Sequence, residues 1–189
     1  MKIDGKRVIL KPFSAEDIPH RVKWMNDKEL MKLVNVPSPV TRLSTAVWQK
    51  ELEHSSDRAD FSIILKESNK LIGYVGFRNV NREDSNAELY IGIGEKQYWG
   101  RLIARESMIL AIRYMIDHYS IQKFYAYLRE ENRRIIHLYE QFGSTIEATF
   151  REEIYSDGSF HNFVLISIFK DEFESLYGNR EKQSSKFLL

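Results

Sequence analysis

The chain of 189 residues contains no cysteine. Disulfides, thiolate metal sites and cysteine nucleophiles are thereby removed together, and the composition suits a reducing cytoplasm. Excess charge is also lacking: 28 Lys and Arg stand against 27 Asp and Glu, a formal net charge of +1. Without a basic surplus a general nucleic-acid binder is disfavoured, and no nucleic-acid partner is expected. No apolar stretch approaches membrane-spanning length, and the amino terminus, MKIDGKRVILKPFS, carries charge inside its short apolar run, unlike a secretory signal. A cytoplasmic protein with no membrane partner is expected. The five histidines at 20, 54, 118, 137 and 161 lack metal-ligand spacing, and H-E-x-x-H is absent, so no metal site is expected.

What is present points to a folded core. Hydrophobic residues make up 43% of the chain and aromatic residues 13%, which argues against disorder. The length fits one domain, placed over residues 1–177, with the polar, patternless residues 178–189 as a flexible tail. RVILKPF reads as a strand ended by Pro12, and Ser14 with Asp17 as a capping-box start to a helix reaching about Asn26. Pro37 and Pro39 mark a loop, and a helix follows through TAVWQKELEH. DFSIIL and LIGYVGFRNV flank the turn-rich KESNK as a hairpin, and NAELYIGI is a further strand. Ala104, Met108, Ala111, Ile112, Met115, Ile116 and Tyr119 repeat at helical period. KFYAYL is a strand, NRRIIHLYEQFG a helix closed by Gly143, and STIEATF and HNFVLISIF are strands around SDGS. The order β-α-α-β-β-β-α-β-α-β-β predicts an α+β fold. Its central sheet is mixed, mostly antiparallel and about seven-stranded, with helices on both faces.

The segment GEKQYWGRLIARES, between a strand and the long helix, is the first candidate site. Gly92 and Gly94 form a G-x-G, but Gln97 stands where a dinucleotide fingerprint needs glycine, and no Walker lysine pattern occurs. A strand-to-helix loop can aim backbone N–H groups and a helix N-terminus at one anion, such as phosphate. Arg101 and Arg105 oppose the helix dipole unless an anion offsets them; an ordinary polar loop with solvated arginines fits equally well. Two further residues attract attention by position. Tyr139 shares helical spacing with Ile135, Leu138 and Phe142, which places it inward, where a core tyrosine bonded to a backbone group is the usual outcome. Glu88 shares one strand face with Tyr90 and Gly92, opposite Leu89, Ile91 and Ile93. A carboxylate there is a partly desolvated base, a solvent-facing residue on an open sheet face or a salt-bridge partner, and Glu83 and Asp84 are less specific alternatives.

AELYIGIGEKQYWGRLIARES, followed by KFYAYLREENRRIIHLYEQFGSTIEATFREEIYSDGSFHNFVLISI, resembles the GNAT superfamily of acetyl-CoA-dependent N-acetyltransferases. It is similar in particular to the branch of ribosomal-protein N-terminal, spermidine and amino-sugar acetyltransferases. The resemblance runs from RVILKPFSAEDI to LISIFKDEF and is densest from Glu88 to Phe169. It implies that a Q/R-x-x-G-x-G/A pyrophosphate loop falls on Gln97, Gly100 and Leu102, with Leu102 in place of the small residue. Cofactor contacts are then expected from Gln97, Tyr98, Trp99, Gly100, Arg101, Leu102, Ile103 and Ala104, mainly through backbone amides. It further implies Tyr139 as the acid that protonates the CoA sulfur and Asn132 as a cofactor contact, with Ile135 and Ser144 replacing the usual Ala and Phe. Glu88 becomes the base that activates the amine. Ile91 to Gly94 would carry a bulge that splays this strand from KFYAYL, admits the pantetheine arm as a pseudo-strand and offers an oxyanion donor near Ile91 or Ile93.

The implied reaction is direct acetyl transfer from acetyl-CoA to a primary amine, since no thiol is available for an acyl-enzyme. An alkyl ammonium has a pKa of about 10, so a base or a desolvating site is required. A protein N-terminus, a polyamine, an antibiotic amine and an amino sugar remain open as acceptors, and the acids of NREDSN favour a polyamine only weakly. Tyr155, His161 and Trp99 are further candidates for the acceptor pocket. A homodimer is the family expectation. A non-catalytic acyl-CoA-binding module is the alternative, motivated by Leu102.

Overall fold

The computed structural model describes residues 1–31, 39–156 and 158–178. Strands β1 (Ile3–Asp4) and β2 (Val8–Pro12) lead to helices α1 (Ile18–Met25), α2 (Lys28–Met31) and α3 (Arg42–His54). Strands β3 (Ala59–Leu65), β4 (Lys70–Asn81) and β5 (Asn86–Ile93) follow, then α4 (Ile103–Tyr119), β6 (Lys123–Arg129) and α5 (Arg133–Phe142). The described chain closes with β7 (Thr145–Ser156), β8 (Ser159–Phe169) and α6 (Lys170–Tyr177). Residues 179–189 of the expected tail, Pro37 of the expected loop and Asp157 of the SDGS turn lie outside the described residues.

Among the described residues one eight-stranded sheet runs in the order β1-β2-β3-β4-β5-β6-β8-β7. Every neighbouring pair is antiparallel except β5 and β6, which are parallel. The expected architecture is therefore present, with one strand more than anticipated. That strand, β1, is two residues long and is held by Ile3 opposite Leu10 and Asp4 opposite Ile9. Two residues are too few for any periodicity to register.

One face of the sheet carries α4, α5 and α6 over a single apolar core that joins Phe77 and Leu89 to Met108, Ile112, Phe142 and Phe173. The buried stripe of α4 gives this helix its place, at roughly 25 cal/mol for each Å² of apolar surface removed from water. Helix α5 ends at Gly143, whose φ of 104° is the left-handed conformation that stops a helix with little strain. Helix α6, not anticipated, docks through Phe173 and Tyr177 one turn apart, and the Tyr177 hydroxyl donates to the Phe142 carbonyl at 2.8 Å. On the opposite face α1 packs with α3. The capping box at Ser14 is present: its N–H donates to Asp17 Oδ2 at 3.0 Å and opens the turn into α1.

The feature that positions the site is the parting of β5 and β6. Their ladder covers only Asn86–Glu88 against Lys123–Tyr125. Beyond it β5 stays with β4 as far as Ile93 opposite Gly73, while β6 stays with β8 as far as Arg129 opposite Phe163. A wedge thus opens toward the C-terminal ends of two central strands. The bulge expected at Ile91 to Gly94 is not there. The register from Gly73–Ile93 to Arg78–Glu88 is unbroken, and the irregularity lies between Arg78 and Asn81, where Asn79 has a φ of 53°. The strands separate because each is held by its outer neighbour: past Ile93, the N–H groups of Gly94 and Glu95 both donate to the Ile72 carbonyl, at 2.9 and 3.2 Å.

Candidate active site

The wedge is lined by backbone. Leu89 turns its carbonyl into it and receives the Tyr139 hydroxyl at 3.1 Å, while the Ile93 carbonyl receives the Trp99 indole N–H at 2.7 Å. Alternate residues of a strand direct their polar groups to the same side, so Ile91, midway between them, also presents its N–H to the wedge. Tyr139 arrives from α5 and is buried. Burial, and then the nearby Glu88 carboxylate, push its phenol well above the ordinary 10.0, so the hydroxyl is protonated at any working pH.

Glu88 projects from the other face of β5. It is buried, at 4% exposure, and its two oxygens receive Arg78 Nη2 at 2.5 Å and Asn79 Nδ2 at 2.9 Å. The residue is therefore both buried and salt-bridged, not open to solvent. The partners were not singled out beforehand, although Arg78 lies directly opposite Glu88 in the β4–β5 hairpin, and cross-strand charge pairing could have indicated it. Glu83 and Asp84 lie exposed in the turn between β4 and β5, at the closed end of the β5–β6 pair.

The loop after β5 is anchored as well as polar. Lys96–Tyr98 form one 3-10 turn with Gln97 exposed. Trp99 is fixed by its bond to Ile93, and Arg134 of α5 stacks 4.7 Å from its ring centroid. Gly100 and Leu102 both have positive φ, 74° and 59°. Leu102 is the residue at the start of α4 and offers no side-chain cap; the first bond there is Glu106 N–H to the Leu102 carbonyl at 3.1 Å. The N–H groups of Ile103, Ala104 and Arg105 precede that ladder and point along the helix axis toward the loop. The Ile103 side chain is in the core, so only its amide is offered. Leu102 itself is 40% exposed. Arg7 ties the loop to β2: it donates to the Arg101 carbonyl at 2.7 Å and pairs with buried Glu106 at 2.9 Å.

Asn132 begins α5, its side-chain oxygen receiving the Ile135 N–H at 3.4 Å. Tyr155 and His161 lie on the β7–β8 hairpin, against Phe160 and Glu131 respectively, and Trp99 belongs to the loop after β5; the three do not form one group. Among the described residues no cluster of three or more metal-ligating side chains forms, and no helix is long and apolar enough to cross a membrane.

The arrangement couples a row of amides at a helix start to an open strand edge, with a buried phenol and a buried carboxylate on either side of it. Such a site can hold an extended anionic ligand and carry out proton transfers beside it. The acetyltransferase (GNAT) domain model matches residues 7–145. An uncharacterized N-acetyltransferase, p20, of Bacillus licheniformis is 26% identical over 174 residues, covering 89% of this chain and 96% of that protein. The spermidine N(1)-acetyltransferase of Escherichia coli K12 is 23% identical over 88% of each chain. The spermidine N-acetyltransferase of Vibrio cholerae, solved with CoA and spermine, superposes with a TM-score of 0.80 at 21% identity over 88% of this chain and 98% of that one. Wedge, loop and family match converge, and the chain belongs to the GNAT acetyltransferases, a family of enzymes that take their acetyl group from acetyl-CoA.

Proposed function

We propose that the protein transfers acetyl from acetyl-CoA directly to a primary amine, with both substrates bound across the wedge. The amides of Gly100 to Ala104 receive the pyrophosphate, and the Ile91 N–H receives the thioester oxygen as charge develops on it. Asn132 and the anchored Trp99 border the cofactor arm. The thioester supplies an activated acyl group; everything else is supplied by the chain. Glu88, oriented by Arg78 and Asn79, takes the proton the amine loses as its nitrogen bonds to the carbonyl carbon. Tyr139 donates its proton to the sulfur as the C–S bond breaks. Burial makes Tyr139 a weak acid, so it acts as a hydrogen-bond donor that completes transfer only late in bond cleavage.

The observation that carries this reading is the Tyr139 hydroxyl on the Leu89 carbonyl, at the point where the strands part. Calorimetry with acetyl-CoA, followed by thiol release across an amine panel, tests it. Binding of acetyl-CoA with amine-dependent thiol release is expected; no binding at high micromolar concentration overturns it. Glu88→Gln is expected to lower kcat by about 10²- to 10⁴-fold while leaving acetyl-CoA affinity unchanged.

A further inference from the structure

The face of the sheet that carries Glu88 is floored by two tyrosines, each lying across the glycine opposite it. Tyr74 pairs with Gly92, and Tyr90 with Gly76. A Cβ on Gly92 would fall 2.5 Å from Tyr74 Cζ, and one on Gly76 would fall 2.6 Å from the Tyr90 hydroxyl. Two arginines stand at this floor. Arg21 of α1 has its guanidinium carbon 3.9 Å from the Trp48 ring centroid and 5.6 Å from that of Tyr74. Arg58 lies 5.6 Å from Trp48 and donates to the Tyr90 hydroxyl at 3.1 Å.

The charges on this face do not balance. Asp60 is bound by Arg58 through two contacts of 3.2 Å, Glu88 by Arg78, and Asp17 by Lys11. Arg21 is left over: among the described residues it has no hydrogen bond and no ion pair, only rings. Burial lowers its pKa, opposed by Tyr74 and Asp60 and reinforced by Arg58. An arginine held on aromatic faces keeps its donor fork available for a planar or tetrahedral anion. Tyr90 follows Glu88 by two residues, ~7 Å along the strand, which is the span of a short amine with an acidic group at its other end.

We propose that Arg21, backed by Arg58, selects an acceptor whose amine is joined through a few atoms to a carboxylate or phosphate. The acceptor is then an anionic amine, and this inference rests on the transferase reading above. A polyamine would bring a second ammonium toward Arg21, where the described carboxylates of this face, Asp17, Asp60 and Glu88, are already paired.

The test uses matched acceptors: 4-aminobutyrate against butylamine, O-phosphoethanolamine against ethanolamine, and spermidine. For at least one pair the anionic member is expected to show about 10-fold or higher kcat/KM, as a charged hydrogen bond allows; which pair responds separates carboxylate from phosphate. Arg21→Gln is expected to raise KM for that member to the level of its neutral mate, leaving KM for acetyl-CoA and turnover of the mate unchanged, with partial rescue by Arg21→Lys. Preference for spermidine or the neutral amines, or an equal effect of Arg21→Gln on both members of a pair, overturns the proposal. Titration of the two anionic amines into the protein with CoA reads the same site without turnover: binding lost in Arg21→Gln supports it, and no binding overturns it. Failure of the transferase reading shows separately, as no acetyl-CoA binding and no thiol release with any amine.

Discussion

The Tyr139 hydroxyl donates to the Leu89 carbonyl across 50 residues of sequence, at the place where two neighbouring strands stop pairing. This bond ties α5 to the vertex of the wedge and, in the proposed mechanism, keeps the phenol at the breaking bond. Tyr139→Phe is expected to lower kcat by about 10²-fold or more. The stability loss is smaller, about 1 kcal/mol for one hydrogen bond. Steady-state kinetics with chemical denaturation separates the two effects; unchanged turnover on a verified acceptor would remove Tyr139 from the mechanism.

Because burial raises the Tyr139 pKa above its ordinary 10.0, its proton remains in place throughout the alkaline range used in assays. The wild-type pH–rate profile should therefore show no fall below about pH 10 that disappears in Tyr139→Phe. A descending limb near pH 8 or 9 lost in that variant would contradict the burial argument.

Leu102 occupies a left-handed backbone conformation, φ 59°, without the freedom of glycine. A side chain there costs about 1–2 kcal/mol in local strain, part of which glycine returns through the entropy of the unfolded chain. Leu102→Gly is expected to gain up to about 1 kcal/mol, a rise of roughly 2–4 °C in Tm. Acetyl-CoA affinity should hold or tighten, since the amide proposed to serve the pyrophosphate is retained. Calorimetry showing weakened binding would mean that the leucine side chain shapes the loop.

Gly92→Ala places a methyl group against the Tyr74 ring. The overpacking is expected to cost about 1–3 kcal/mol, and to raise KM for the acceptor more than KM for acetyl-CoA, because Tyr74 floors the face proposed to receive the acceptor. Equal changes in both would show that the tyrosine floor supports the whole site.

Glu95 links the loop to α1, receiving Lys23 Nζ at 2.7 Å and Trp24 Nε1 at 3.0 Å. The Lys23 bond foremost, then that of Trp24, holds its pKa below the ordinary 4.5. A carboxylate with a lowered folded pKa contributes stability that is complete above the unfolded value and lost as pH falls through the folded one. Glu95→Gln should thus be less stable than wild type at pH 7, with the gap closing below about pH 4. Thermal melts of both proteins across that range measure it.

Much of this arrangement was legible in the sequence because it rests on local periodicity. The alternation of AELYIGI placed Glu88 and Leu89 on opposite faces, and the inward position of Tyr139 followed from Ile135, Leu138 and Phe142. The rest was set by contacts between distant segments. The splay was expected from a bulge in β5, but it arises from each strand's hold on its outer neighbour, which no single strand encodes. Helix α6 left a readable trace in Asp171, Glu172, Phe173 and Tyr177, an acidic first turn followed by an i, i+4 apolar pair. Arg21, Trp48 and Arg58 meet from α1, α3 and the segment before β3, so their stacking had no sequence signature.

The three-residue ladder between β5 and β6 also sets how the protein holds together. Together with the Gln122 and Lys123 N–H groups on the Ser85 carbonyl, it makes the backbone seam among the described residues between a five-stranded unit, β1 to β5, and a three-stranded unit, β6 to β8. Core side chains and the Tyr139 bond add to this joining. An extended ligand laid along Ile91 would lengthen that seam, making the two units unfold more nearly as one. Substrate occupancy would then be felt as mechanical continuity, as slowed amide exchange in β5 and β6 beyond the residues the ligand touches.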